Sequence, residues 1–200
     1  MMKINKVKLS KFMSLVLRHK AKEFGLNISS HGLVGVAELL EVLKKQKGFE
    51  SVTILDIHHV VIHCNKQRFK LKEIDNNLFI SANQGHTIES VTAERKEVTD
   101  SSEIPICIHG TNIMAIQQIH KSGGLSRMDR NDIHMASALP ETGYVISGMR
   151  KSANVVIWID VEKAMDEGIQ FFISNNGVIL SPGNEHGFIP SSCFMKISYR

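Results

Sequence analysis

Arg18 and His19 stand side by side at the end of an apolar-periodic stretch, a pairing with the chemistry to hold phosphate. A guanidinium presents a planar fork that meets phosphate oxygens two at a time and stays charged at any ordinary pH. The same pair also reads as cations closing a helix, where the macrodipole favours positive charge. His86 follows Gln84-Gly85; its charge can change near neutral pH, although a lone histidine at a strand end is unremarkable. Arg150 beside Lys151 reads, taken alone, as a solvated arginine. Other chemistries are missing. There is no GxxxxGK[ST] loop and no GxGxxG after a strand, so neither a P-loop nor a Rossmann site is expected. The three cysteines, Cys64, Cys107 and Cys193, are odd in number and lack metal spacing, which argues against a disulfide framework or structural zinc and for a reducing compartment.

The elements that must position these residues follow from patterning. Apolar residues at 42% and charged residues at 22% suit a globular chain with a real core. No run of about 18 apolar residues predicts a membrane span, and the basic N-terminal segment lacks the apolar stretch of a signal peptide. Charge is uneven: residues 1–80 carry 14 Lys/Arg and 7 Asp/Glu, and residues 81–200 carry 10 and 13, giving +7 and −3. The basic part suits a polyanion such as RNA, or is simply a soluble basic face.

Leu9, Phe12, Met13, Val16 and Leu17 predict a helix with Lys11, Ser14 and Arg18 off its stripe. A second helix is expected over Val36–Lys45. A third starts near Thr53, although Val60–Ile62 also reads as strand. Alternation over Arg68–Lys72, the turn Asp75–Asn77 and Leu78–Ala82 predict a hairpin. Helices followed by a hairpin is the order of a winged helix, a module that often binds nucleic acid. Residues 92–104 are polar and aperiodic and are expected to be a linker. Beyond it, the chain predicts a strand over Pro105–His109, a helix through Ile113, Ile116 and Ile119 closed by Gly123-Gly124, and a buried strand over Asn154–Asp160. A short helix over Val161–Glu167 and strands around the Asn175–Gly177 turn complete it.

Leu9–His19 reads LSKFMSLVLRH, Lys66–Phe69 reads KQRF, Ala82–His86 reads ANQGH and His109–Thr111 reads HGT. Gly124-Leu125 is followed by Arg127, Met128, Arg130 and the His134–Ser137 run, then by GMR at Gly148–Arg150 and NGVIL at Asn176–Leu180. No single motif is specific; their order and spacing from Leu9 to about Pro190 resemble the RNA 2′-phosphotransferase family. The resemblance implies an α+β fold: a winged-helix-like RNA lobe over residues 1–91, a linker over 92–104 and an ADP-ribosyltransferase-like NAD-binding lobe over 105–200. It implies a two-step reaction without metal. An internal RNA 2′-phosphate attacks the nicotinamide ribose of NAD⁺ and nicotinamide leaves. The neighbouring ribose hydroxyl then takes the phosphate, which frees the RNA 2′-OH and releases ADP-ribose 1″,2″-cyclic phosphate.

By the same resemblance, Arg18 and His19 hold the 2′-phosphate and assist the second step, and Arg150 clamps the phosphate in transfer. Arg68, Ser81, Gln84 and His86 fall in the RNA-phosphate region. His109, Gly110 and Thr111 match the nicotinamide-recognition element, where the glycine backbone meets the carboxamide and His109 the ribose. Gly124, Leu125, His134 and Ser137 fall in the cofactor lobe, while Arg127 and Arg130 either meet NAD⁺ phosphates or lie on the loop surface. Val178 takes the position where ADP-ribosyltransferases acting on protein often carry glutamate; an anionic phosphate nucleophile needs no such base.

One position departs from the family. Its R-A-x-Q-G-H pattern has an arginine where this chain has Ser81, and losing that charge-assisted contact costs about 1.5–3 kcal/mol unless Arg68 or Lys70 compensates. Leu33 replaces a frequent aromatic, which reads as a packing change. The substrates expected are NAD⁺ and a 2′-phosphorylated RNA such as tRNA, acted on by a cytoplasmic or nuclear monomer. The alternatives are an ADP-ribosyltransferase on nucleic-acid phosphate ends and a non-catalytic winged-helix nucleic-acid binder.

Overall fold

Leu9, Met13, Val16 and Leu17 are fully buried, so the apolar stripe near the N-terminus is the seed of a core. The computed structural model describes residues 4–142, 149 and 152–200. These belong to two units, Met1–Glu94 and Arg95–Arg200.

In the first unit, α1 (Lys6–Leu15) begins where the Asn5 side chain accepts from the Lys8 N–H at 3.0 Å. It runs on as a wider π-type turn over Val16–Lys20, a helix irregularity frequent at functional positions. The strand β1 (Val34–Gly35) leads into α2 (Val36–Lys44), and α3 spans Ile54–Ile62. The two readings of Val60–Ile62 resolve as helix. Thr53 Oγ1 caps the Asp56 N–H and Asp56 accepts from the Thr53 N–H at 2.8 Å, a reciprocal box that starts the helix. The hairpin of β2 (Phe69–Ile74) and β3 (Asn77–Ala82) turns at Asp75-Asn76, both at positive φ (48° and 60°). That is the two-residue turn whose twist matches the strands it joins. These strands form an antiparallel sheet in the order β1-β3-β2, and the helices pack their apolar faces into one cluster with Ile80 and Phe69.

The expected linker is not one throughout. Residues Arg95–Val98 form β4, the edge of a four-stranded sheet that continues through Phe171–Ser174, Ile179–Ser181 and Ile133–Met135, and Ser101–Glu103 form a single 3₁₀ turn capped by Asp100. β4 escapes sequence reading because it is an edge strand in which only Val98 is buried. Arg95 is fixed by Asp132 at 2.7 Å and by the ring of Phe172 at 3.7 Å.

In the second unit, β5 (Ile108–Thr111) starts later than the strand expected over Pro105–His109. It is followed by α4 (Ile113–Lys121), and Gly123 at φ +80° ends that helix as its position predicts. Next come β6 (Gly124–Ser126), β7 (Ile133–Met135), β8 (Val155–Ile159) and α5 (Val161–Asp166). The hairpin of β9 (Phe171–Ser174) and β10 (Ile179–Ser181) follows, then β11 (Phe188–Pro190) and β12 (Phe194–Tyr199). β12-β8-β5 and β11-β6 complete the sheets, all antiparallel, and a bridge between Ile108 and Ala136 ties β5 to the end of β7. Helices with several small antiparallel sheets are compatible with the α+β class. Among the described residues, no helix is long and apolar enough to cross a membrane. Cys64, Cys107 and Cys193 are buried free thiols.

Candidate active site

In the first unit the π-type turn brings Arg18 and His19 against the segment after β3. His19 Nδ1 lies 3.1 Å from Thr87 Oγ1, and the Thr87 N–H donates to the Arg18 carbonyl at 3.0 Å. Gly85 sits at φ +91°, and a Cβ built there would lie 3.5 Å from Arg18 Cζ, so this turn passes close over the guanidinium. Gln84 and His86 are buried in the same turn. Residues that are about 65 positions apart in sequence, the Arg-His pair and the Gln-Gly-His run, therefore form one cluster.

Ser81 is buried near the end of β3, opposite Lys70. Lys70 is engaged by Glu94 at 2.7 Å. Arg68 is better placed to supply charge. It lines the same cleft as Arg18, a space of about 530 Å³ in the first unit, and its Nη1 donates to Cys64 Sγ at 3.3 Å. Burial alone would raise the Cys64 thiol, but the N–H groups of Arg68 outweigh it and hold the thiol below its ordinary range.

His86 corrects the expectation of a histidine that titrates near neutrality. Burial first, then the neighbouring charges of Arg18 and His19, push its pKa down to about 4. The imidazole is thus neutral at physiological pH, and its Nε2 has no hydrogen-bond partner among the described residues. The linked stability has a definite sign. Between about pH 6.5 and about pH 4 the unfolded chain holds a proton that the folded chain refuses, so this contribution is full above the unfolded pKa and is lost as the pH falls. From about pH 7.5 to about pH 5 the loss is on the order of 2 kcal/mol. Urea midpoints at the two pH values are expected to fall less in His86→Gln than in the parent chain. Parallel falls would mean that His86 is not the buried neutral group.

In the second unit, His109, Thr111, Gly124, Leu125, Arg130 and His134 line one cleft of about 510 Å³, a volume typical of small-molecule sites. The bridge between β5 and β7 sets the two histidines together, and His109 Nδ1 lies 2.9 Å from the His134 carbonyl. A carbonyl only accepts, so Nδ1 carries the proton. Burial, and beyond it the charge of Arg130, lowers the His109 pKa against the pull of that carbonyl, which keeps the ring neutral and makes Nε2 an acceptor. An acceptor there suits a hydroxyl group.

Arg127 and Arg130 both face the cleft. Arg127 Nη1 donates to the Arg130 carbonyl at 3.0 Å, and its backbone N–H to the Gly187 carbonyl at 3.0 Å. At Gly124 a Cβ would come within 2.2 Å of the Ile189 carbonyl oxygen, so only glycine lets β6 and β11 lie this close along the cleft wall.

Three expected cofactor residues stand apart from the lining. Gly110 is adjacent on β5, but the space a Cβ would take there is filled by the Met149 side chain, which gives this glycine a packing reason. Val178 is fully buried in the β9–β10 turn, where its N–H donates to Ser174 Oγ at 3.0 Å. Ser137 is exposed just after β7. Arg150 lies outside the described residues. The cleft also includes Ser126 and Asp132, which sequence reasoning missed. Both sit in or beside three-residue strands too short to show a period, and Asp132 reads as loop until its pairing with Arg95 is seen.

A two-unit chain of helices and small antiparallel sheets, with an arginine–histidine cluster in one unit and a cleft lined by two histidines in the other, has clear relatives. Residues 4–183 match the family model of the RNA 2′-phosphotransferase, Tpt1 / KptA family. The chain is 43% identical over 194 residues to tRNA 2′-phosphotransferase 1 of Danio rerio, covering 95% of this chain and 84% of that protein. It is 40% identical over 186 residues to the Mus musculus tRNA 2′-phosphotransferase 1, covering 92% and 73%. To the tRNA 2′-phosphotransferase of Saccharomyces cerevisiae it is 38% identical over 183 residues, covering 88% and 78%. The chain belongs to the RNA 2′-phosphotransferase family and is a transferase.

Proposed function

We propose that this enzyme removes an internal 2′-phosphate from RNA, tRNA being the class its relatives' names point to, at the expense of NAD⁺. The observation that carries the reading is the hydrogen-bonded cluster of Arg18, His19 and Thr87, which joins two remote motifs beside the Arg18 guanidinium. Arg18 grips the 2′-phosphate with its fork, and His19, held by Thr87, supplies a second donor. Arg150 takes the clamp role by its position in Gly148–Arg150. His86 stays neutral and hydrogen-bonds without adding charge. We assign the first unit a winged-helix-like RNA-binding role and the second an ADP-ribosyltransferase-like NAD-binding role.

The cleft of the second unit fits NAD⁺. Its neutral His109 offers Nε2 as an acceptor for a ribose hydroxyl, and Arg127 and Arg130 offer charge to a pyrophosphate. Gly124 lets its wall close to backbone contact. When bound, NAD⁺ supplies an electrophilic ribose carbon that the 2′-phosphate attacks as nicotinamide leaves, and a neighbouring hydroxyl that afterwards takes the phosphate from the RNA. The side chains of this protein bind, orient and neutralise charge, and an anionic phosphate nucleophile needs no glutamate at Val178.

The test is incubation of the protein with a short RNA carrying one internal 2′-phosphate, with and without NAD⁺, with products resolved by mass. NAD⁺-dependent loss of the phosphate with release of ADP-ribose cyclic phosphate is expected. RNA bound without any NAD⁺-dependent product overturns the reading in favour of a nucleic-acid binder. Ser81 favours one further outcome. A phosphate site short of one arginine captures its substrate yet performs the second step poorly, so RNA still bearing ADP-ribose on its 2′-phosphate would accumulate.

A further inference from the structure

The cleft that Arg18 shares with Arg68 extends well beyond the Arg-His cluster. It runs along α1 and the end of α3, and Lys6, Lys11 and Lys66 also line it. No carboxylate among the described residues is in that lining. Outside the lining, Asp56 pairs with Lys6. Packing cations of one sign into a concave surface raises the local positive potential and concentrates polyanions there. His59 and His63 complete the wall; their rings stack with centroids 4.0 Å apart and are exposed on α3 and its cap. Stacked rings beside a cationic groove are the parts from which proteins build tracks for single strands, phosphates on the cations and bases on the ring faces.

We infer that this cleft is a track for the single-stranded RNA flanking the 2′-phosphorylated nucleotide. The inference rests on the reading of Arg18 as a ligand of the 2′-phosphate, because Arg18 belongs both to that cluster and to the cleft. A space of about 530 Å³ is on the scale of a small-ligand site, about one or two nucleotides of single strand. The track gives the enzyme a hold on RNA that does not depend on the phosphate to be removed, and a preference for 2′-phosphates in unpaired segments.

The experiment uses the full chain and a Lys11→Gln/Lys66→Gln double variant, two exposed residues outside the Arg-His cluster. Fluorescence anisotropy measures binding to a single strand of roughly 12 nucleotides, within the usual site size, that carries no 2′-phosphate. The variant is expected to bind about tenfold more weakly at moderate salt, with the slope of log affinity against log salt shallower by about 1.4, two phosphates at about 0.7 each. Turnover of a 2′-phosphorylated dinucleotide is expected to stay unchanged. Equal affinity and slope in variant and parent would overturn the track, as would tighter parental binding to duplex than to single strand. A variant equally impaired on the dinucleotide would also overturn it, since the lysines would then serve the phosphate cluster itself. Binding is read without NAD⁺. A parent chain that shows the lysine-dependent binding but releases no 2′-phosphate therefore refutes the proposed reaction and not the groove's affinity for RNA.

Discussion

Arg18→Ala is expected to lower turnover of a 2′-phosphorylated RNA by about 10²–10³-fold, the usual cost of removing one fixed donor from charge developing in a transition state. The expectation follows from how the guanidinium is held. The Arg18 main chain lies on the π-type turn, where the Thr87 N–H binds the Arg18 carbonyl, and the guanidinium itself packs beneath the Gly85 turn. Those backbone bonds survive truncation of the side chain, and the core residues Val16 and Leu17 beside it are untouched. The variant should therefore fold, and its melting temperature checks this. Arg18→Lys keeps the charge and loses the fork, so it is expected to recover only part of the activity. Steady-state kinetics tell the roles apart. A fall in kcat means a contact strengthened in the transition state, whereas a rise in KM alone means uniform binding. Arg18→Ala with parental kcat and KM would remove the arginine from the chemistry altogether.

How far the site was legible in the sequence depends on which interactions fix each part. The stripe from Leu9 to Leu17 placed Arg18 and His19 at the end of the first helix, because one buried face dictates the period of what lies beside it. It did not reveal that this end widens into a π-type turn or that His19 there meets Thr87, 68 residues away. The hairpin was legible because Asp75-Asn76 accept positive φ. β4, β6, β7 and β11 were not. Three or four residues are too few for alternation to register, and their pairing partners lie far along the chain. The protonation state of His86 was hidden for the same reason: the residue type permits a switch, but burial and two flanking cations, supplied by tertiary packing, abolish it near neutral pH. In the second unit His109, Gly124 and His134, which the motif order sets in the same lobe, line one cleft, while Asp132 became visible only through its ion pair with a strand read as linker.

Ser81→Arg is expected to speed the second step by about 10–100-fold, the equivalent of regaining one charge-assisted contact of about 1.5–3 kcal/mol. The position is buried on β3 beside the Asn83–His86 turn, and the lysine opposite it is drawn off by Glu94, so Lys70 is a poor substitute. Arg68 is the remaining candidate for compensation, since it faces the cleft that Arg18 lines. The size of the gain therefore reports how complete that compensation is. Single-turnover reactions would follow the lifetime of RNA that carries ADP-ribose on its 2′-phosphate, and melting curves would show whether a buried arginine is tolerated. A double-mutant cycle with Arg68→Gln keeps the question decidable even if the gain is small. If Arg68 stands in for the absent arginine, Arg68→Gln should cost at least tenfold in the parent chain and much less once Ser81→Arg is present. Equal costs in both backgrounds would mean that the two positions do not share a phosphate. An unchanged second step in Ser81→Arg would then show that this chain works without the family arginine by some group other than Arg68.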